Sequence, residues 1–552
     1  MRKDLLILLL LIFPAFSLLL QKGYFSMHDD MQTLRQYEMH NCFKDGQIPC
    51  RWVNDLGYGY GYPLFNYYPP LPYLVGMPFV WLGFHYVTVI KIVGVIGFAF
   101  SAFTMYLLGR EFWGRRGGLI AATFFTYAPY HSVDFYVRGA MNEFWAMAFY
   151  PLIFWSAYKL ISTLEKKYIP LTAVSVAGLM LSHNPMLMIF TPVFLVWIVF
   201  WWIKFKSLKS FLTLALSGLW AAGLAAFFTL PVTFEQKFVS VWTLTSGYFN
   251  YLAHFVPLSR MFLTVRWGFG ASGLGQTDYL SYHIGYLQWL VPAVLVLTSL
   301  FVKPLKKFRL LIWFLALATL GSLFMMHSKS TFIWQFFKPL EFLQFPWRFL
   351  TLSVFVSSFL SGAVILLIGK HKIILISLLT LAILLNANYF RPQHWYPDMT
   401  DKDKFSGKSW QLLVTSGIFD YLPLTAPFPP ADPAGADLNL TQGRGAFTRL
   451  VKKSNLQRYQ VDVFSHAAVA EIQTYSFPGW KAYVDGQEVA IDPVRDPLLG
   501  RIQVDLTSGS HIVEIRFTNT PIRTFANFAS FIAWVVFIGI MVSWIRKSRS
   551  GM

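Results

Sequence analysis

The sequence predicts a mainly α-helical, polytopic membrane protein with a small antiparallel β-domain just before its last span. Three observations carry that expectation. Of 552 residues, 55% are hydrophobic and 13% charged, against roughly 25% charged in a soluble chain. Uninterrupted apolar runs of membrane-crossing length recur along most of the chain. Between about 458 and 518 the pattern changes to short alternating segments separated by turn residues.

The apolar runs place about twelve spans (11–13) at 4–20, 86–109, 117–133, 141–162, 168–182, 186–203, 211–230, 285–302, 309–326, 346–368, 372–390 and 525–545. The proline-rich segment 70–84 is short for a span and reads as re-entrant or interfacial. The basic loops "GREFWGRRGG", "LEKKY", "KFKSLK", "KPLKKFR", "GKHK" and "IRKSR" all fall on one face if 70–84 does not cross. Basic loops mark the cytoplasmic side, so both termini are expected there, in a plasma membrane. The N-terminal run also resembles a signal peptide, but its continuation through Leu20 favours an uncleaved anchor.

The excess of basic over acidic residues gives a net charge of +19. In a membrane chain this follows from cytoplasmic loops rather than nucleic-acid binding, with anionic lipid headgroups as a further use. Cys42 and Cys50 are the only cysteines. Two are too few for a metal framework, and the spacing leaves a loop-closing disulfide open.

Residues 391–457 read as an extracytoplasmic linker, for example "YLPLTAPFPPADPAGADL". The alternating segments within 458–524, with an Asp-Gly turn in "VDGQEV", predict a small β-sandwich. Its role is either shielding or binding a carbohydrate or polymer, with Trp480 as a stacking platform. Residues 525–552 form the last span and a basic tail, and 1–390 the main membrane module.

This topology sends the first loop, 21–85, to the outer face with the other unusual polar residues near span ends. They are Asp29 and Asp30 in "HDD", Arg138 and Glu143, His183 and Asn184 in "SHNP", Arg266, and Arg348 in "FPWRF". Ionisable groups at membrane depth are costly and default to a functional role. Their shared side predicts one outward cavity at the lipid–water boundary. Plainer readings remain open: solvated aspartates, an Arg138–Glu143 ion pair, a His183–Asn184 helix cap, and Arg348 as a snorkelling anchor. Tyr60, Tyr62 and Tyr67, with Tyr58, Phe65 and Tyr68, line a sugar or lipid channel or form an interfacial aromatic belt.

The order "HDD", "KDGQIPCRW", "GYGYGYPLFNYYPPLPYL" resembles the first-loop pattern of the GT-C superfamily of integral-membrane glycosyltransferases, and "LLGREFWGRRGGLIAATFFTYAP" resembles its next block. "YVRGAMNEFWAMAFYPL", "SHNP", "LQFPWRF" and "FPGWKAYVDGQ" resemble the YfhO-like branch and relatives labelled pyruvoyl-tetrahydropterin-synthase-related membrane proteins. A pterin activity does not suit a twelve-span chain.

The resemblance implies transfer of a sugar from a polyprenyl-phosphate donor to a cell-envelope glycan, glycolipid or protein outside the membrane. Asp29, placed like the family's acidic residue, is then the expected base, with Asp30 an alternate base or supporting residue. Arg138, Arg348 and Arg266 would hold the lipid phosphate through planar guanidinium forks, and Glu143, His183 and Asn184 would complete the polar wall. Many GT-C enzymes carry Asp-Glu or Glu-x-Asp where this chain has His-Asp-Asp. Asp29, Asp30 and His183 are therefore also the candidate ligands if Mg²⁺ or Mn²⁺ takes part. The competing classes are a flippase or transporter of lipid-linked sugars and a non-catalytic envelope assembly protein. A transporter would need charged residues in mid-span, and the spans are nearly charge-free.

Overall fold

Nine helices among the described residues are long and apolar enough to cross a membrane: Lys3–Leu20, Tyr86–Thr126, Met141–Thr163, Asn184–Phe205, Leu208–Phe234, Arg309–Met326, Pro346–Ile368, Lys372–Tyr389 and Pro521–Arg546. They fit a multi-pass membrane protein. The computed structural model describes residues 2–264, 266–274 and 278–550.

The helices depart from the expected spans over 86–133 and 285–302. The expected spans 86–109 and 117–133 are one run, Tyr86–Thr126, broken at Gly114, whose φ of 72° and ψ of 179° glycine alone adopts easily. The segment expected at 168–182 is a helix with those bounds, Tyr168–Ser182, and that expected at 285–302 is the shorter helix Tyr286–Thr298; both fall below the length of the nine. Segment 70–84 forms the helix Leu71–Trp81, whose 11 residues are too few to cross.

The chain divides into two units. The first comprises Met1–Asp30, Val87–Ala222 and Thr245–Met399, and the second Met31–Tyr86, Gly223–Leu244 and Thr400–Met552. Most of the first loop, Met31–Tyr86, falls in the same unit as the C-terminal sheet.

In the first unit, Met141–Thr163 and Pro346–Ile368 are the most enclosed spans, 83% and 78% buried along their most apolar stretch. Ser353, Ser357, Ser358 and Ser361 keep the second of them slim, and all four are buried. Small residues of this kind allow close helix contact where no water drives packing. These two helices carry Glu143 and Arg348 near their N-terminal ends. Strand β1, Tyr24–Phe25, pairs antiparallel with β2, Trp395–Tyr396. Phe25 stacks on Trp395 at 5.9 Å. The expected linker therefore begins with a strand that fixes where the chain leaves its first helix.

In the second unit, β3 (Leu438–Thr441), β4 (Gly445–Lys452), β5 (Leu456–Tyr475), β6 (Trp480–Val484), β7 (Gln487–Val489) and β8 (Arg501–Phe517) form one antiparallel sheet. Its order is β3-β5-β8-β6-β7, with β4 also on β5. The expected sandwich is absent from the described residues because β5 and β8 run continuously past each other. Their pairing extends from Leu456 opposite Arg516 to Tyr475 opposite Arg501, through register shifts at Val463/Ala467 and Ile472/Tyr475. Bulges bend such a ribbon without splitting it. Strands β3 and β4 also lie in the expected linker.

Alternating apolar residues such as Tyr459, Val461, Ile502, Val504, Val513 and Ile515 form one side of the core, and Trp52, Tyr60, Tyr62 and Phe65 of the first loop pack against it. Cys42 and Cys50 are disulfide-bonded in that loop, with Cα atoms 5.4 Å apart. Trp480 is no open platform: it is 7% exposed and meets Trp52 edge to face at 5.5 Å.

Candidate functional site

The site lies in the first unit and is built around the buried carboxylate of Glu143. Residues Val133–Arg138 form a wide π-type turn that ends at Gly139. Such turns recur at functional sites. Here it sets Asp134 and Arg138 on one side, where they form an ion pair. The next helix begins at Met141 and holds Glu143 in its first turn, where a negative charge suits the helix dipole.

Glu143 is fully engaged. Its Oε1 accepts from the Tyr130 hydroxyl at 2.6 Å. Its Oε2 lies 3.0 Å from Arg138 Nη1 and 3.1 Å from Arg348 Nε. Arg348 also donates through Nη1 to the Leu343 carbonyl at 2.8 Å and to Gln344 Oε1 at 3.0 Å. Arg138 donates to Tyr130 at 3.3 Å and lies over the Trp347 ring at 4.5 Å. Two guanidinium groups thus face two carboxylates. Among the described residues, Nη2 of each arginine has no protein partner.

Burial first, and the Glu143 charge next, push the Asp134 carboxyl well above the usual carboxylate range, with Arg138 opposing. Asp134 Oδ2 is buried and unpartnered among the described residues. Burial and then the Arg348 charge push the His183 imidazole down to about 3, with Glu143 opposing. His183 is therefore neutral at physiological pH, and its Nδ1 is buried without a hydrogen-bond partner among the described residues.

The "HDD" stretch joins this cluster through its main chain. The His28 amide donates to the Val137 carbonyl at 3.0 Å, and the Asp29 amide to the Arg138 carbonyl at 2.9 Å. The approach requires glycine next door. Gly139 has φ of +66°, and a Cβ there would lie 2.4 Å from Met27 Sδ and 3.1 Å from the Asp29 carbonyl oxygen. Gly139→Ala is therefore expected to cost about 1–2 kcal/mol from backbone strain, before any clash. A lower melting temperature checks this, and an unchanged one would contradict the close packing of residues 27–29 on this turn.

Of the residues singled out from sequence, Asp29, Arg138, Glu143, His183 and Arg348 gather here, with Asp30 next in the chain. Asn184 instead opens the helix Asn184–Phe205, and no side chain caps that helix start. The neighbouring Ser182 carbonyl is held by Asn142 Nδ2 at 2.9 Å. Arg266 is exposed, stacks on Tyr279 at 4.7 Å and takes no part in the cluster.

Tyr60, Tyr62 and Tyr67 belong to an apolar core cluster. All three are buried in the second unit. Tyr60 packs on Tyr475 at 5.4 Å, the Tyr62 hydroxyl donates to the Gly417 carbonyl at 2.9 Å, and that of Tyr67 to the Glu235 carbonyl at 2.7 Å. Their rings add apolar area to the core against the sheet.

No group of three or more His, Cys, Asp or Glu that could hold a metal occurs among the described residues. Asp29, Asp30 and His183 are therefore no three-ligand set for Mg²⁺ or Mn²⁺.

The sequence reading passed over Tyr130, Asp134, Trp347 and Gln344. The Asp134–Arg138 spacing of four was a visible signal, since such a pair meets on one helical face. Tyr130 and Trp347 gave none in a chain so rich in aromatics.

No protein-family model matches the chain. An uncharacterized protein of Lactococcus lactis subsp. cremoris (strain MG1363) is 28% identical over 209 residues, covering 36% of this chain and 34% of the relative. The chain thus matches about a third of that curated relative's length. What can be said of the site's chemistry rests on the residues themselves.

Proposed function

We propose that the protein is a GT-C-type membrane glycosyltransferase. It transfers a sugar from a polyprenyl-phosphate-linked donor to a cell-envelope glycan, glycolipid or protein on the extracytoplasmic side. The observation that carries this reading is the Asp29–Arg138 main-chain contact. It ties the main chain of the first-loop aspartates to the turn that carries Arg138, and among the described residues Arg138 and Arg348 each keep an Nη2 without a hydrogen-bond partner.

In this reaction the Asp29 carboxylate takes the proton of the acceptor hydroxyl as its oxygen attacks the anomeric carbon. The bond from that carbon to the lipid phosphate breaks, and the phosphate leaves with the electron pair. Arg138 and Arg348 meet the departing charge with charge-assisted hydrogen bonds. Glu143 and Asp134 hold both guanidinium groups in place beforehand, so little ordering is left for the reaction itself.

The extracytoplasmic side is supported by the distribution of basic loops and by the Cys42–Cys50 bond, which persists in oxidising compartments. The ends of the chain lie in the cytoplasm, and the host membrane is a plasma membrane. A flippase reading has less support, because the charged cluster sits at helix ends rather than along a path through the spans.

Native mass spectrometry of the detergent-solubilised chain with added polyprenyl phosphate tests the reading. Wild type retains the lipid, and Arg348→Met loses most of it. Equal retention by both would remove the arginines from the donor site.

A further inference from the structure

In the second unit, Arg51 of the first loop and Arg523 at the start of the last helix are 1% and 0% exposed. Between them they have one carboxylate among the described residues, that of Glu235, itself 2% exposed. Arg523 Nε donates to Glu235 Oε2 at 2.8 Å. The same oxygen accepts from Asn66 at 2.9 Å, and Oε1 from Thr520 at 2.5 Å, so this carboxylate already accepts three hydrogen bonds. Arg51 turns instead to neutral acceptors: Asn66 Oδ1 at 3.2 Å, the Phe227 carbonyl at 2.9 Å and Asn527 Oδ1 at 2.7 Å.

Two positive groups against one negative leave an enclosed charge of one unit. The donors are unspent as well. Both terminal nitrogens of Arg523, and Nε of Arg51, are buried with no hydrogen-bond partner among the described residues. Phe517 and Phe477 lie 5.0 and 5.3 Å from the Arg523 guanidinium and attract it through their faces, but they accept no hydrogen bond of ordinary strength. Water at these donors would satisfy them without cancelling the charge. A buried, uncompensated cation is among the costliest groups in a folded chain.

We propose that the second unit holds one small free anion, a halide or an inorganic anion of similar size, between Arg51 and Arg523. A small anion suits the site, because both guanidinium groups are almost wholly covered by protein. Its role is to tie the last helix to the first loop, since one cation comes from each. The inference does not depend on the transferase reading, which concerns the other unit.

The test uses the full chain in nanodiscs at constant ionic strength, with sodium chloride exchanged for sodium gluconate, an anion too large for the site. The melting temperature is expected to fall by roughly 3 °C or more in gluconate and to recover saturably with bromide, as for any ligand bound by the native state alone. Arg51→Met leaves Glu235 and Arg523 as a neutral pair, so its melting temperature should not respond to the exchange. Crystals soaked in bromide decide the matter if that variant does not fold. An anomalous peak beside the Arg523 terminal nitrogens supports the site. Ordered water alone there, or a wild-type melting temperature indifferent to the anion, overturns it.

Discussion

Asp29→Asn is expected to lower sugar transfer by about 10²–10⁴-fold, the usual contribution of a positioned general base, while folded protein accumulates at wild-type levels. The second half follows from how the residue is anchored. Its contact with Arg138 runs through the backbone amide, which the substitution leaves alone, and asparagine keeps the side chain's size. Asp30→Asn should cost less, and a reversed order would exchange the two roles. The readout is incorporation of labelled sugar into membranes, normalised to the amount of folded enzyme. Unchanged incorporation after both substitutions together would leave the first loop without a catalytic carboxylate and remove the main chemical support for a transferase.

The second large effect concerns stability. Glu143→Gln keeps an acceptor for the Tyr130 hydroxyl but leaves Arg138 and Arg348 with Asp134 as the remaining carboxylate at the cluster. Removing one partner from a buried ion pair costs about 3–5 kcal/mol, and the variant should unfold at a clearly lower temperature. The double substitution Glu143→Leu with Arg348→Leu removes one charge of each sign and leaves the Asp134–Arg138 pair intact. Apolar replacement of a whole buried pair is often neutral, so much of the stability should return. Transfer should not return, because the proposed donor site would lack one of its two cations. If the double variant regained activity along with stability, the cluster would be a charge-neutralising strut and nothing more.

The sequence disclosed these elements unevenly, for physical reasons. The long spans were legible because hydrocarbon demands unbroken apolar length, and Met141–Thr163 or Pro521–Arg546 could hardly read otherwise. The alternation of "RYQVDVFS" and "RIQVDLTS" revealed strands. It could not reveal one bent sheet, because pairing through the shifts at Val463/Ala467 and Ile472/Tyr475 is long-range and leaves no local mark. At the site, charge in apolar surroundings was the readable signal, and it found Arg138, Glu143 and Arg348. Tyr130 and Trp347 share that environment but carry no charge, so nothing separated them from the many aromatics that only fill space. The tyrosines of "GYGYGY" misled for the converse reason. A repeated aromatic motif suggests a lining surface, whereas burial in the second unit's core uses the same rings.

The central claim is that Arg138 and Arg348 receive the phosphate of a lipid carrier beside Asp29. The most direct measurement is a cryo-EM structure of the wild-type chain in nanodiscs saturated with polyprenyl phosphate. Phosphate density is expected within hydrogen-bond distance of Nη2 of both arginines, with the lipid tail leaving toward the bilayer. A carrier phosphate bound anywhere else, with that pair of Nη2 donors facing only water, would contradict it.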